Sequence, residues 1–145
     1  RTRKTRIKTI AHQTELGTEE QSLLKELSVP KTDLIPSISN SYKRITLVNK
    51  TSVERLTLDI DLRFEHKDTK NELSDLVIAE LKQERITRSS PFYLAAKRLH
   101  LRPFRLSKYC TGLVQMKELN GLRFNRFKKK LLHINKLSNY GVNLV

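Results

Sequence analysis

At 145 residues and 37% hydrophobic content the chain is one domain or a piece of one, with material for a modest core and too little for two sizeable domains. Lys and Arg number 29 against 15 Asp and Glu, a net charge of +14 with a pI near 10.2, so the expected partner is a polyanion or an anionic surface. No apolar run reaches membrane-spanning length, none near the start reads as a secretion signal, and the single Cys110 excludes an internal disulfide, which together lead to a cytoplasmic expectation.

In chain order, residues 1–10 (RTRKTRIKTI) read as a strand with Lys4 and Arg6 two apart on its polar face. Thr18-Glu19-Glu20-Gln21 has the capping-box pattern and opens a predicted helix over 18–28, which Pro30 stops. A Pro-containing loop over 28–40 leads to a strand at 42–48, a turn at 49–52 and a strand at 53–64, an antiparallel hairpin. The second of these strands, VERLTLDIDLRF, alternates: Leu56, Leu58, Ile60, Leu62 and Phe64 on one face, Arg55, Thr57, Asp59, Asp61 and Arg63 on the other. Strict alternation sets Arg55 and Arg63 on one line, about 26 Å apart.

Residues 66–75 read as a polar connection and 76–82 as a short strand with Glu80 and Lys82 on one face. Ser90 and Pro91 start a helix that runs to about His100, and Pro103 halts it. Residues 104–114 read as a further strand with Arg105, Ser107 and Tyr109 on one side. Phe124, Phe127, Leu131 and Ile134 then recur at helical spacing, an amphipathic helix over about 122–135 carrying a basic face.

Several chemistries drop out. The histidines at 12, 66, 100 and 133 are scattered without metal spacing, the four glycines form neither a P-loop nor a dinucleotide fingerprint, and Ser107-Lys108 lacks the pattern of a serine-lysine nucleophile. What remains is charge placed on strands. Lys4 with Arg6, Tyr42 with Arg44, Arg55 with Arg63, and Arg105 with Ser107 each lie on a polar face whose reverse is apolar. If the helices cover the apolar faces of a curled sheet, the basic faces line its inside. Such a channel has to be wet, paired by carboxylates such as Asp59, Asp61 and Glu80, or filled by a polyanion. Each charge-assisted bond from Arg or Lys to a phosphate oxygen contributes roughly 1.5 to 3 kcal/mol. On residues alone, Glu80 is better read as an ion-pair partner of Lys82 or of a facing arginine than as a metal ligand.

Tyr42-Lys43-Arg44, Glu54-Arg55-Leu56-Thr57-Leu58-Asp59-Ile60-Asp61-Leu62, Ile78-Ala79-Glu80-Leu81-Lys82, Ser107-Lys108-Tyr109 and Asn125-Arg126-Phe127-Lys128 follow one another in an order that resembles the VTC domain, the polyphosphate polymerase module of the vacuolar transporter chaperone family, in its bacterial form. The resemblance implies an α+β fold of the triphosphate tunnel metalloenzyme type, an antiparallel eight-stranded β-barrel with surrounding helices. It implies transfer of the γ-phosphoryl group of ATP to polyphosphate with Mn²⁺ or Mg²⁺ as cofactor. By the same token Lys4, Arg6, Tyr42, Arg44, Arg55, Arg105, Ser107 and Lys108 hold phosphates, with Arg44, Arg55 and Lys108 acting on the transferred group, and Glu80 binds the metal. Arg105 replaces a usual lysine, and strict alternation points Lys108 away from Arg105 and Ser107, which calls for a bulge.

With about five strands predicted, the chain is expected to be the later part of such a domain, its barrel incomplete at the N-terminus. The expected partners are ATP and polyphosphate and no nucleic acid; there is room for a membrane-associated partner, on the cytoplasmic side. Two alternatives stand beside the polymerase: a triphosphatase of the same fold, with water as acceptor, and a non-enzymatic basic module binding RNA or another polyanion. Five Phe, four Tyr and no Trp give the last no stacking platform.

Overall fold

A computed structural model describes residues 7–8, 15–28, 34–116 and 125–140, and the chain divides into two compact units, Arg1–Ser37 and Ile38–Val145. The strand expected over 1–10, with Lys4 and Arg6, lies outside the described residues except for Ile7 and Lys8, which have no regular structure. The first unit holds helix α1 (Thr18–Glu26). Its expected capping box is not formed: Gly17 is the N-cap, and Gln21 Nε2 donates instead to Leu16 O at 2.9 Å. Leu27 closes the helix, with Ser28 turning at φ 53°.

The second unit is built on an antiparallel sheet of β1 (Ser39–Val48), β2 (Glu54–His66), β3 (Thr69–Leu73) and β4 (Ile78–Gln83). Strand β2 is the spine. It pairs with β1 along one edge, and along the other with β4 through its first half and β3 through its second. Among the described residues this sheet stays open, so the fold is α+β without a closed barrel. Strand β3 occupies the stretch expected to be a connection. Its polar residues suit an edge strand, where cross-strand ion pairs replace apolar contacts: Arg63 Nε meets Glu72 Oε1 at 3.1 Å and Lys70 Nζ meets Glu65 Oε1 at 3.5 Å.

The alternation of β2 breaks at Asp61. Lys43 stands opposite Ile60 and Ser41 opposite Arg63, so two β2 residues, Asp61 and Leu62, face the single Tyr42, and Asp61 takes φ 53°. This is a β-bulge, and it reverses which face each later residue points to. Leu62 and Phe64, both fully buried, therefore join Thr57 and Asp59 on one face. Arg63 leaves that face, so it does not continue the line of Arg55. Asp61 pairs with Lys43 at 2.7 Å, and that lysine holds its carboxyl below the usual range.

Helices α2 (Pro91–Arg98), α3 (Lys108–Gln115) and α4 (Asn125–Tyr140) complete the unit. Helix α2 starts as its sequence predicts, on a Ser90 cap with Pro91 first, and ends with His100 at φ 56° and Leu101 N bonded to Ala96 O at 2.9 Å. In α4, Phe127, Leu131 and buried Ile134 recur at helical spacing, and His133 stacks on Phe104 at 4.9 Å between ring centroids. The strand expected over 104–114 is instead irregular chain followed by α3. Two local features start that helix: Ser107 Oγ accepts from Cys110 N at 3.3 Å, and Thr111 Oγ1 donates to Ser107 O at 2.8 Å. Tertiary contact holds it, since Gly112 lies directly against Phe64 and Ile38, in a core of Leu62, Phe64 and Met116 with Ile38, Leu73 and Ile78 around it.

Candidate functional site

The packing of α3 decides what the polar face of the sheet becomes. It covers the face that carries Asp59, whereas on the reverse face Ile45 and Leu47 remain about half exposed. The expected arrangement, helices over the apolar face and charges on an open lumen, is thus turned over at this end of the sheet. Asp59 is 1% exposed because the bulge sets Leu62 and Phe64 on its face and α3 closes over them.

A carboxylate so deeply placed needs partners. Arg44, directly opposite on β1, supplies a two-point contact, Nε to Oδ1 at 2.6 Å and Nη2 to Oδ2 at 2.7 Å. Lys108, in the first turn of α3, donates its Nζ to Oδ2. Tyr42, two residues before Arg44, lies against both cations, its ring centre 5.1 Å from the guanidinium carbon and 4.4 Å from Lys108 Nζ. The Arg44 hydrogen bond, followed by that of Lys108, lowers the Asp59 pKa to about 2 against the penalty of burial. The same bond raises the pKa of Arg44, so the guanidinium stays charged.

One buried anion thus holds two cations, leaving a net positive charge. Arg44 uses two of its five N–H donors on Asp59 and Lys108 one of its three. With side chains 39% and 22% exposed, both can turn their remaining donors toward a ligand. Three elements are brought together here, β1, β2 and α3, and with them Tyr42, Arg44 and Lys108 from the residues singled out by sequence.

The remaining expected site residues are placed as follows. Ser107 is the cap of α3, its oxygen accepting from Cys110 N and its proton still available to donate. The helical turn removes the difficulty over Lys108, because no strand alternation applies there. Arg105 is exposed in the irregular chain before α3. Arg55 is exposed on the Asp59 face, opposite Lys82 of β4 and four residues from Asp59, or about 13 Å along the strand. Glu80, opposite Thr57, meets Lys82 at 3.3 Å, the partner that the residues alone had suggested. It also contributes to the field that raises the Arg44 pKa.

The oxygen atoms at Glu80 suit a hard divalent cation. No group of three or more His, Cys, Asp and Glu side chains occurs among the described residues. The available donors are one half-exposed carboxylate and, across the strand, the buried Thr57 Oγ1, which has no hydrogen-bond partner among the described residues. One or two carboxylates completed by water and substrate phosphates is a common way to hold Mg²⁺, and Mn²⁺ takes the same oxygen ligands. Sequence reading missed Thr57, because alternation assigns its face and says nothing about its burial.

A cavity of about 400 Å³ lies away from this cluster, between the 49–53 turn and the 84–91 loop. Of the two carboxylates that line it, Glu54 and Glu84, Glu54 is committed to Ser90 Oγ at 2.9 Å and Gln83 Nε2 at 2.8 Å, and so clasps the start of α2 to the sheet. No helix among the described residues is long and apolar enough to cross a membrane.

Comparison with known families gives one match: the family model described as VTC domain covers residues 3–117. No curated protein and no solved structure matches the chain.

Proposed function

The chain belongs to the VTC domain family, and from that premise we propose that it is an ATP-dependent polyphosphate polymerase domain. It transfers the γ-phosphoryl group of ATP to the end of a polyphosphate chain. The observation that carries this reading is the cluster in which Asp59 orients Arg44 and Lys108 over Tyr42 with donors to spare. In the reaction the bond from the β–γ bridging oxygen to the γ-phosphorus breaks and ADP leaves, while a terminal polyphosphate oxygen bonds to that phosphorus. The acceptor oxygen is already anionic, so no protein base or nucleophile is needed. The protein has to align the two phosphates and neutralise charge that spreads over the transferred group.

Arg44 and Lys108 are suited to that work because their geometry is fixed before a ligand arrives. Asp59 sets the plane of the guanidinium, and Tyr42 supports both cations from below. Arg55, about 13 Å along β2, with Lys82 opposite, would hold the chain further on, and Ser107 would add a hydrogen bond. Arg105 would extend the basic surface, while Lys4 and Arg6, phosphate holders by the family resemblance, lie outside the described residues. The sheet would form one wall of a tunnel barrel. Glu80 would hold Mn²⁺ or Mg²⁺, which when bound neutralises phosphate charge. The expected setting is the cytoplasmic face of the cell's membranes or the cytoplasm itself.

Incubation of the full chain with ATP and Mn²⁺, following product chain length and free phosphate together, tests the reading. Long polyphosphate is the expected product. Phosphate release alone would identify a triphosphatase, and neither product would leave a binding module. Glu80→Gln is expected to abolish turnover and keep polyphosphate binding; full activity in that variant would overturn the metal assignment.

A further inference from the structure

Thr57 stands at the centre of the Asp59 face and is 4% exposed, yet its Oγ1 has no hydrogen-bond partner among the described residues. A buried hydroxyl without a partner is costly and uncommon, and it points to a water, ion or ligand oxygen that the folded chain does not itself supply. The other such atom among the described residues, Asn71 Oδ1, belongs to a half-buried residue on β3 opposite the apolar Phe64. Thr57 is differently placed. Thr46 and Glu80 stand directly across from it on β1 and β4, and Asp59 follows two residues later on the same face.

The charges around the hydroxyl narrow what it meets. Both oxygens of Asp59 are taken by Arg44 and Lys108. Glu80 is held by an ion pair with Lys82 in which both side chains are about half exposed, a pairing that water screens and a divalent cation can displace. A phosphate directly beside Glu80 would be repelled. A hydrated cation there is attracted, and it lies between two cationic stations for phosphate, Arg44 with Lys108 on one side and Arg55 with Lys82 on the other.

We propose that Thr57 is a positioning residue of the divalent-cation site. Its Oγ1 accepts a hydrogen bond from a water of the hydrated Mn²⁺ or Mg²⁺ held by Glu80 and so fixes the cation against the phosphates. A neutral acceptor suits this role, since a second carboxylate would repel the polyanion that Arg44 and Lys108 attract. The inference rests on the polymerase reading above.

Thr57→Val keeps the shape and removes the hydroxyl, and binding can be followed on the full chain by calorimetry with inorganic tripolyphosphate, alone and as its Mn²⁺ complex. Without either ligand the variant is expected to melt at or above the wild-type temperature, because no bond within the protein is lost. Its affinity for the Mn²⁺ complex is expected to fall about ten- to a hundredfold, as when outer-sphere partners of metals are removed, with metal-free tripolyphosphate bound as before. Thr57→Ser is expected to restore binding of the complex. Wild-type affinity for the Mn²⁺ complex in Thr57→Val would overturn the inference and leave the polymerase reading standing. So would a melting point clearly below wild type without ligand, which would mean the hydroxyl serves the fold. A wild-type chain that binds neither form of tripolyphosphate would overturn both.

Discussion

At the scale of single residues, Asp59 carries the most consequence. It is a buried carboxylate whose two oxygens organise an arginine and a lysine from different elements. Its pKa is lowered to about 2 from an ordinary 3.8, so the folded state binds this proton less readily than the unfolded chain. The stability it adds is therefore fully present above about pH 4 and is lost as pH falls through about 2. Asp59→Asn is expected to be less stable than wild type at neutral pH, with the difference narrowing as pH drops from 4 toward 2. Paired thermal melts across that range would show it, and a difference independent of pH would deny the carboxylate this role. Asp59 was visible in the sequence as a charge on an alternating strand. Its burial was not, because burial depends on a helix that arrives 49 residues later.

At the scale of elements, the informative case is α3. Residues 104–114 are rich in β-branched and aromatic side chains, and Gly112 lowers helix propensity, so the local signal favours a strand. The native helix wins through its Ser107 cap and because Thr111 and Gly112 are buried on the sheet. Close approach requires glycine there: a Cβ at 112 would stand 2.7 Å from Phe64 Cε1 and 2.8 Å from Ile38 Cδ1. Gly112→Ala would gain about 1 kcal/mol of helix propensity. It would lose about 1 to 3 kcal/mol by overpacking, and Phe64, itself fully buried, has little room to yield. A lowered melting temperature is expected, together with weaker polyphosphate binding as Lys108 moves off Asp59 while the Arg44 pair, internal to the sheet, persists. Unchanged stability and binding would show that α3 can shift without cost. Strand β3 gave the opposite lesson: its polar residues hide a strand whose pairing is visible only beside Arg63 and Glu65.

At the scale of the whole molecule, a net charge of +14 draws any polyanion to the surface, so affinity alone does not identify the site. Salt dependence separates the contributions. Polyphosphate affinity is expected to fall steeply with ionic strength, and Lys108→Ala should reduce the slope of log affinity against log salt by about one, the effect of losing a single phosphate contact. An unchanged slope would mean that the chain binds elsewhere on the basic surface.

By itself the sequence determined the hairpin of β1 and β2, helices α1, α2 and most of α4, and the family to which the chain belongs, because periodicity, caps and short motifs are local properties. Tertiary structure alone decided which face those charges occupy. The Asp61 bulge reverses the alternation of β2, and α3, started by its Ser107 cap, is packed against Phe64 through Gly112. Through these two contacts, both between residues far apart in the chain, a strand face that reads as the charged lining of an open channel becomes a buried carboxylate with two oriented cations.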